Sequence, residues 1–497
     1  MADAGSSGSS GDAGEGNAGT SGTSGGKGGA GSSGSSSGGA SGMGGTAGIG
    51  AGGESGAGGM GGSCDTSKSP TEEACLVADE YAVFVAPDGS DDNDGTQATP
   101  LATLTKAVDI AATDGKLVLV CSATYDEHVN IEAGVRIYGG FKCTDWSAEA
   151  QKPLFKPTTA GPALKVNTFT DELLIDSVTF EVGDAIASGE TALTAIVNAS
   201  PKVTLRSVNL KAGKGKVGAD ALNAGFDFSG ITLDDLKGDD GTVSAGGSGS
   251  IYECPGGTTT KRGSGGDPPD QNGGAGTPVH NVTDGKGGDS TKSCAAGGSG
   301  LDGAAGPAAA NALGASTLGT AAVAGWVPNP GASASDGAPG QGGGGGAGKA
   351  AGGGGSGGAG GCGGKGGPGG GGGGGSIALL ALASPITIIS STLSTADAGN
   401  GGYGAAGQQG QQLTAVGGDG FGTGCDGGLG GPGGAGGAGG GGAGGISVGI
   451  VWKGAMAPTV SADTMITLGK AGTKGTGGVA GTNDGIAGVS QKVLSLN

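Results

Sequence analysis

The chain has 497 residues, of which 128 are glycine, and its 44 acidic and 25 basic residues give a net charge of −19. Glycine is thus a quarter of the chain against a usual share of about 7%, and with aromatic residues at only 3% hydrophobic burial has to be concentrated in a few stretches. The acidic balance, with no Lys/Arg cluster to override it, excludes nucleic acid and anionic membrane surfaces as partners, and no run of about 18 apolar residues offers a membrane span.

Residues 1–63 hold Gly, Ser and Ala and little else, with glycine at 5, 8, 11 and 14 and again at 19, 22, 25, 28, 31 and 34. Lacking apolar surface to offset its ordering entropy, this stretch reads as a flexible tether. Met1 runs straight into Gly and Ser with no apolar h-region, so no signal peptide is legible. The eight cysteines are Cys64, Cys75, Cys121, Cys143, Cys254, Cys294, Cys362 and Cys425. None forms a C-x-x-C pair, and only His128 and His280 are available to join them, so zinc is poorly supported. An even count at wide spacing suits disulfides in an oxidising compartment. A leader removed before residue 1 reconciles the two observations and implies an extracellular or cell-surface protein. The alternative is a cytoplasmic protein with reduced thiols.

Ordered sequence begins near Cys64. Tyr81–Val85 reads as a strand and the Asp-rich run 87–95 as a turn. Thr99 and Pro100 then offer an N-cap and a first helical residue. Leu101, Leu104, Val108 and Ala111 follow on one helical face, ending before Gly115. The segments 117–120, 129–131, 135–138, 163–166, 173–175 and 195–197 are short apolar strands with no helices between them, the pattern of an all-β repeat. Residues 174–180 match 204–210 at a shift of 30, and 387–393 match the second copy at a shift of 183. The chain therefore leaves the strand stack near 211, re-enters it near 376, and returns once more at 446–451, 460 and 465–468. This divides it into a tether (1–63), a capped first part of the stack (64–210), a glycine-rich excursion (211–375), one coil (376–394), a second excursion (395–445) and a terminal coil with a glycine-rich end (446–497).

Within the excursions a three-residue period becomes strict. Ser356, Ala359, Cys362, Lys365 and Pro368 are separated by two glycines each, as are Asp426, Leu429, Pro432, Ala435 and Ala438. A polyproline-II-type helix has three residues per turn, so two of its faces are bare here and neighbouring backbones can approach to hydrogen-bonding distance. An ordered polyglycine-II bundle is the leading reading. Disorder and a collagen-like helix are the rivals, the latter opposed by only 19 prolines.

Residues 83–96 with 100–107 resemble the N-terminal cap of pectate-lyase-like right-handed parallel β-helices, and 118–125, Val129 and 134–141 resemble their first coils. By composition the chain also resembles glycine-rich, PGRS-like surface proteins of myxobacteria. The fold expected is all-β: a short right-handed parallel β-helix with an N-terminal cap helix, carrying glycine-rich excursions as a polyglycine-II bundle. Cys121 and Cys143 are 22 residues apart, about one coil of such a helix, and are expected to bond. Cys362 and Cys425, in or beside the two densest glycine tracts, are expected to bond as well.

Chemistry-bearing patterns are sparse. Asp88, Asp91, Asp92, Asn93 and Asp94 are a conceivable Ca²⁺ turn, but with Asp92 and Asp94 as the third and fifth ligands the twelfth position falls on Leu101 rather than Glu. A solvated Asx turn is the simpler reading. Asp239 and Asp240 are adjacent acids in a glycine-flanked run, His128 reads as a turn histidine, and Arg136 and Arg206 are outward positions on predicted coils. No catalytic, cofactor or metal-binding residue is assigned. The expected function is a non-catalytic structural or adhesive surface protein that contacts extracellular polysaccharide or matrix. The alternative is a polysaccharide lyase or hydrolase working on the β-helix groove, which needs Asp, Arg or Lys converging on one face of successive coils.

Overall fold

The computed structural model describes residues 64–496; the tether expected over 1–63 lies outside them. The described chain is all-β, with parallel strands stacked in three main sheets of seven, six and six strands. After an opening strand, Ala82–Val85, the chain visits the three sheets in rotation. The first circuit is Leu117–Cys121, Thr124–Tyr125 and Val129–Ile131. The second is Arg136–Phe141, Leu154–Phe155 and Leu164–Asn167, and the third Leu173–Asp176, Thr179–Glu181 and Ala192–Asn198. The fourth is Val203–Arg206, Asn209–Lys211 and Ser376–Leu382, the fifth Ile386–Ile389, Thr392–Ser394 and Ser447–Lys453, and the last Thr459–Val460, Met465–Thr467 and Ser490–Ser495.

Alternation within each strand turns one set of side chains inward. Val118, Ile137, Ile175, Leu205 and Ile388 line the first sheet, and Tyr125, Phe155, Phe180, Leu210 and Leu393 the second, all in one core cluster. The aromatic rings stack between circuits, with centroids 4.8 Å apart for Tyr125–Phe155 and 5.4 Å for Phe155–Phe180. The corner from first to second sheet is taken by Ser177, Ser207 and Ser390 at φ of 58°, 52° and 47°. This left-handed conformation turns the chain in one residue, and serine occupies it in each of the repeats at shifts of 30 and 183.

The helix Leu104–Asp114 buries Leu104, Ala107, Val108 and Ala111 against the top of the stack. It starts four residues later than Thr99–Pro100 suggests, and its N-cap is Thr103. Leu101 is instead held by the opening strand, through Leu101 N–H to Phe84 O (2.9 Å) and Ala86 N–H to Leu101 O (3.0 Å). The outer face of the third sheet is covered by a hairpin, Gly319–Ala322 with Gly325–Pro328, whose Trp326 packs on Leu193, Ile377 and Val448.

All three glycine-rich excursions, 212–375, 395–446 and 468–489, leave the second sheet and return to the third, on consecutive circuits. A shared corner aligns their outgoing and returning limbs. The returning limbs 352–375 and 424–445 run parallel, Gly358, Gly361, Gly364, Gly367 and Gly370 donating to the carbonyls of Gly428, Gly431, Gly434, Gly437 and Gly440 at 2.8–3.0 Å. The outgoing limb of the second excursion pairs antiparallel with the first returning one: Gly399, Gly402, Ala405, Gln408 and Gln411 donate to Gly374, Gly371, Pro368, Lys365 and Cys362. The segment 331–346 flanks the same limb on another side, with Gly337 N–H to Gly364 O at 2.8 Å. Residues three apart bond the same neighbour and successive residues bond different ones, as Gly357, Gly358 and Ala359 do with Gly263, Gly428 and Leu236, so the tracts form an ordered bundle and the disordered reading does not hold.

All eight cysteines are paired: Cys64–Cys75, Cys121–Cys143, Cys254–Cys362 and Cys294–Cys425. The expected Cys121–Cys143 bond is present, with Cα atoms 4.9 Å apart. The expected Cys362–Cys425 bond is not, and the register explains why. Gly361 donates to Gly431, an offset of 431 − 361 = 70 residues, so Cys362 lies beside Pro432, seven residues beyond Cys425. At about 3.1 Å per residue that is roughly 20 Å, far outside disulfide reach.

Candidate functional site

Two carboxylates of the acidic turn, Asp91 and Asp94, are engaged by the segment that follows it. Asp91 accepts from the N–H groups of Ala102 (3.1 Å) and Thr103 (2.9 Å) and from the Thr103 hydroxyl (2.8 Å). Asp94 accepts from the hydroxyls of Thr99 and Thr96, which together with its backbone contacts hold its carboxyl below the ordinary range, the Thr99 bond contributing most. Glu127 likewise takes the first free N–H groups of the cap helix, Leu104 and Thr105, both at 2.9 Å. The turn is therefore a lock between strand and helix. Among the described residues one group of His, Cys, Asp or Glu side chains has ligand atoms near enough to share an ion: Cys64, Glu73 and Cys75. Its two thiols are bonded to each other.

His128 also fastens a turn, with Nδ1 2.8 Å from Pro162 O and Nε2 2.8 Å from Thr159 Oγ1. Asp239 and Asp240 diverge: Asp239 is bonded through its backbone to Ser356, and Asp240 accepts from Asp419 N–H at 2.9 Å. The second contact is one of a set. Asp184, Asp220, Asp302, Asn311, Asp397 and Asn400 each accept, at 2.7–2.9 Å, from an N–H of the adjoining limb. Such an N–H on the rim of the bundle has no carbonyl opposite it, so an Asp or Asn on the next limb supplies the acceptor. Part of the chain's acidity is thus structural.

The first sheet brings together what the sequence left scattered. Register places Arg136, Leu174, Thr204 and Thr387 in one outward column, and Tyr138, Asp176, Arg206 and Ile389 in the next. Arg206 Nε binds Asp176 at 2.8 Å. Arg136 donates to the carbonyl of Thr66, in the disulfide-closed segment that covers the upper part of this face. Below it opens a cleft of about 380 Å³ lined by Arg136, Glu172, Lys202, Arg206 and the prolines Pro201 and Pro385. No such convergence is legible in the sequence. One signal was present, since the shift of 30 that aligns the repeats also aligns Asp176 with Arg206, but Arg136 and Lys202 fall outside the repeat.

The outgoing limb 395–412 presents Asp397, Asn400, Tyr403, Ala406, Gln409 and Gln412 to solvent, every third residue, while its intervening backbone is bonded inside the bundle. Asp397 and Asn400 reach the next limb, at Lys470 and Thr473. This surface continues the outer face of the second sheet, where Glu181 joins Lys156 (2.9 Å) and Lys211 (3.1 Å). No family model matches the chain, and neither a curated protein nor a solved structure is significantly similar to it.

Proposed function

We propose that this is a non-catalytic, extracellular or cell-surface structural and adhesive protein: a right-handed parallel β-helix of the pectate-lyase-like kind carrying a polyglycine-II bundle. The observation that carries this reading is the exposed face of the bundle. A backbone bonded inside the bundle at two of every three residues, with the third directed outward, makes a stiff grid of side chains suited to a repetitive polymer such as a polysaccharide or matrix. Two disulfides, Cys254–Cys362 and Cys294–Cys425, pin the bundle, which fits an oxidising compartment. No helix among the described residues is long and apolar enough to cross a membrane. The groove alternative draws on the charged cleft of the first sheet, whose Asp176 is already engaged by Arg206.

The test is a glycan array and cell-wall pull-down with the purified chain, with and without Ca²⁺, run beside an assay for new reducing ends and unsaturated products. Retention on a polysaccharide without turnover is the expected result. Product formation above the protein-free blank overturns the adhesive reading in favour of the enzyme.

A further inference from the structure

We propose that the cleft on the outer face of the first sheet binds the sulfate esters of a glycan, an assignment that rests on the adhesive reading above and names its ligand class. Three of the chain's 25 basic residues, Arg136, Lys202 and Arg206, line this one cleft. Counting Glu172, the paired Asp176 and Glu72, whose carboxyl feels the Arg206 charge, against them leaves a local charge of 3 − 3 = 0 on a molecule of −19. Arg206 gives only its Nε to Asp176. Its two Nη groups and the ammonium of Lys202 make no hydrogen bond to protein among the described residues, although the Glu72 carboxylate lies within electrostatic reach of Arg206.

With Arg136 engaged by Thr66 O, the Nη groups of Arg206 on the fourth circuit and the Lys202 ammonium at the corner before it are the donors left for a tetrahedral oxyanion. A sulfate ester offers three free acceptor oxygens, whereas a carboxylate offers two in one plane. The same cleft supplies a sugar-facing wall. Leu174, Pro201 and Pro385 are apolar, and Thr204 and Thr387 sit in register on adjacent strands, about 4.8 Å apart. A chain lying along the stacking axis therefore crosses Arg136, Leu174, Thr204 and Thr387 in order, with Arg206 one column to the side.

The experiment is calorimetric titration of the full chain with dextran sulfate, dextran, polygalacturonate and inorganic sulfate. Dextran sulfate is expected to bind, and more weakly as salt shortens the Debye length below about 10 Å. Dextran is expected not to bind. Lys202→Gln should weaken the affinity about tenfold, the order set by one charge-assisted hydrogen bond. Lys202→Arg should retain it and Glu172→Gln should tighten it, with thermal unfolding unchanged because neither residue is paired. Undiminished binding by Lys202→Gln overturns the cleft assignment and leaves the adhesive reading intact, as does equal binding of dextran. Polygalacturonate binding as tight as dextran sulfate overturns the sulfate assignment. Heat from inorganic sulfate with none from dextran sulfate, an adventitious ion only, overturns it too, as does silence in every arm. Depolymerisation of any arm instead sinks the adhesive reading itself.

Discussion

Replacing Gly363 and Gly364 with valine should dissolve the bundle around 352–375 while leaving the strand stack folded. A Cβ on Gly363 would lie 1.9 Å from Gly337 O, and one on Gly364 2.1 Å from Gln408 O, where real Cβ contacts stay beyond 3.0 Å. Relieving the first clash takes at least 3.0 − 1.9 = 1.1 Å of separation between backbones. The nearby bond from Gly337 N–H to Gly364 O, now 2.8 Å, would lengthen to about 3.9 Å, beyond any useful hydrogen bond. Gly364 N–H to Gly434 O and Gln408 N–H to Lys365 O, both 2.9 Å, belong to the same turn. Loss of the three is worth about 3 kcal/mol at roughly 1 kcal/mol each, before the disturbance spreads to adjoining turns. Hydrogen exchange followed by mass spectrometry should show protection lost across 352–375 and kept in Ala192–Asn198 and Ser376–Leu382, whose ladder does not pass through the bundle. Lys365→Ala is the control, since its side chain occupies the third position and gives up only an ammonium 5.6 Å from the Phe226 ring, about 0.5–1 kcal/mol. Valine variants as well protected as the parent would refute the steric argument.

Three further outcomes are expected. A non-reducing digest should yield linked peptides carrying Cys254 with Cys362 and Cys294 with Cys425; because these bonds span 108 and 131 residues, removing either should cost about 5 kcal/mol on the chain-entropy account, and a linked Cys362–Cys425 peptide would contradict the register. Asp302→Ala should speed amide exchange at Leu429, whose N–H it accepts at 2.8 Å, by the loss of about 1 kcal/mol, whereas Asp302→Asn keeps an acceptor oxygen and should not; equal effects would remove the rim-acceptor role. Asp484 is bonded first by the Lys474 ammonium and then by the N–H groups of Gly477 and Gly481, which bring its carboxyl down to about 2. Because that value lies below the ordinary 3.8, its stabilisation is complete above the ordinary range and is lost as pH falls through about 2. The Gly477 and Gly481 amide resonances should report that midpoint, and a transition near 4 would show the carboxylate to be unbonded.

Much of this molecule is written locally. The alternating apolar strands, the serine corners repeated at shifts of 30 and 183, and the Gly-Gly-X period are properties of a few adjacent residues, so strands, circuits and bundle tracts were legible where they stand. Period three alone permits a packed bundle and does not require one. What selects it is the common corner from which three consecutive circuits send their excursions, and that is a consequence of sheet order rather than of any single tract. Register between tracts was equally beyond the sequence. Glycine faces are self-similar, so a slide of three residues leaves the local pattern unchanged, and only the anchoring of each limb to its own circuit fixes the offset of 70 that keeps Cys362 from Cys425. The helix start moved for a related reason, because Leu101 found a partner on a strand 17 residues earlier, at Phe84, and another at Ala86 just after it, rather than in its own turn. The cation cleft shows the same division. Arg136 and Arg206 are 70 residues apart in the chain, and stacking at about 4.8 Å per strand sets them on one face, a proximity that exists only once the strands of the first sheet have paired.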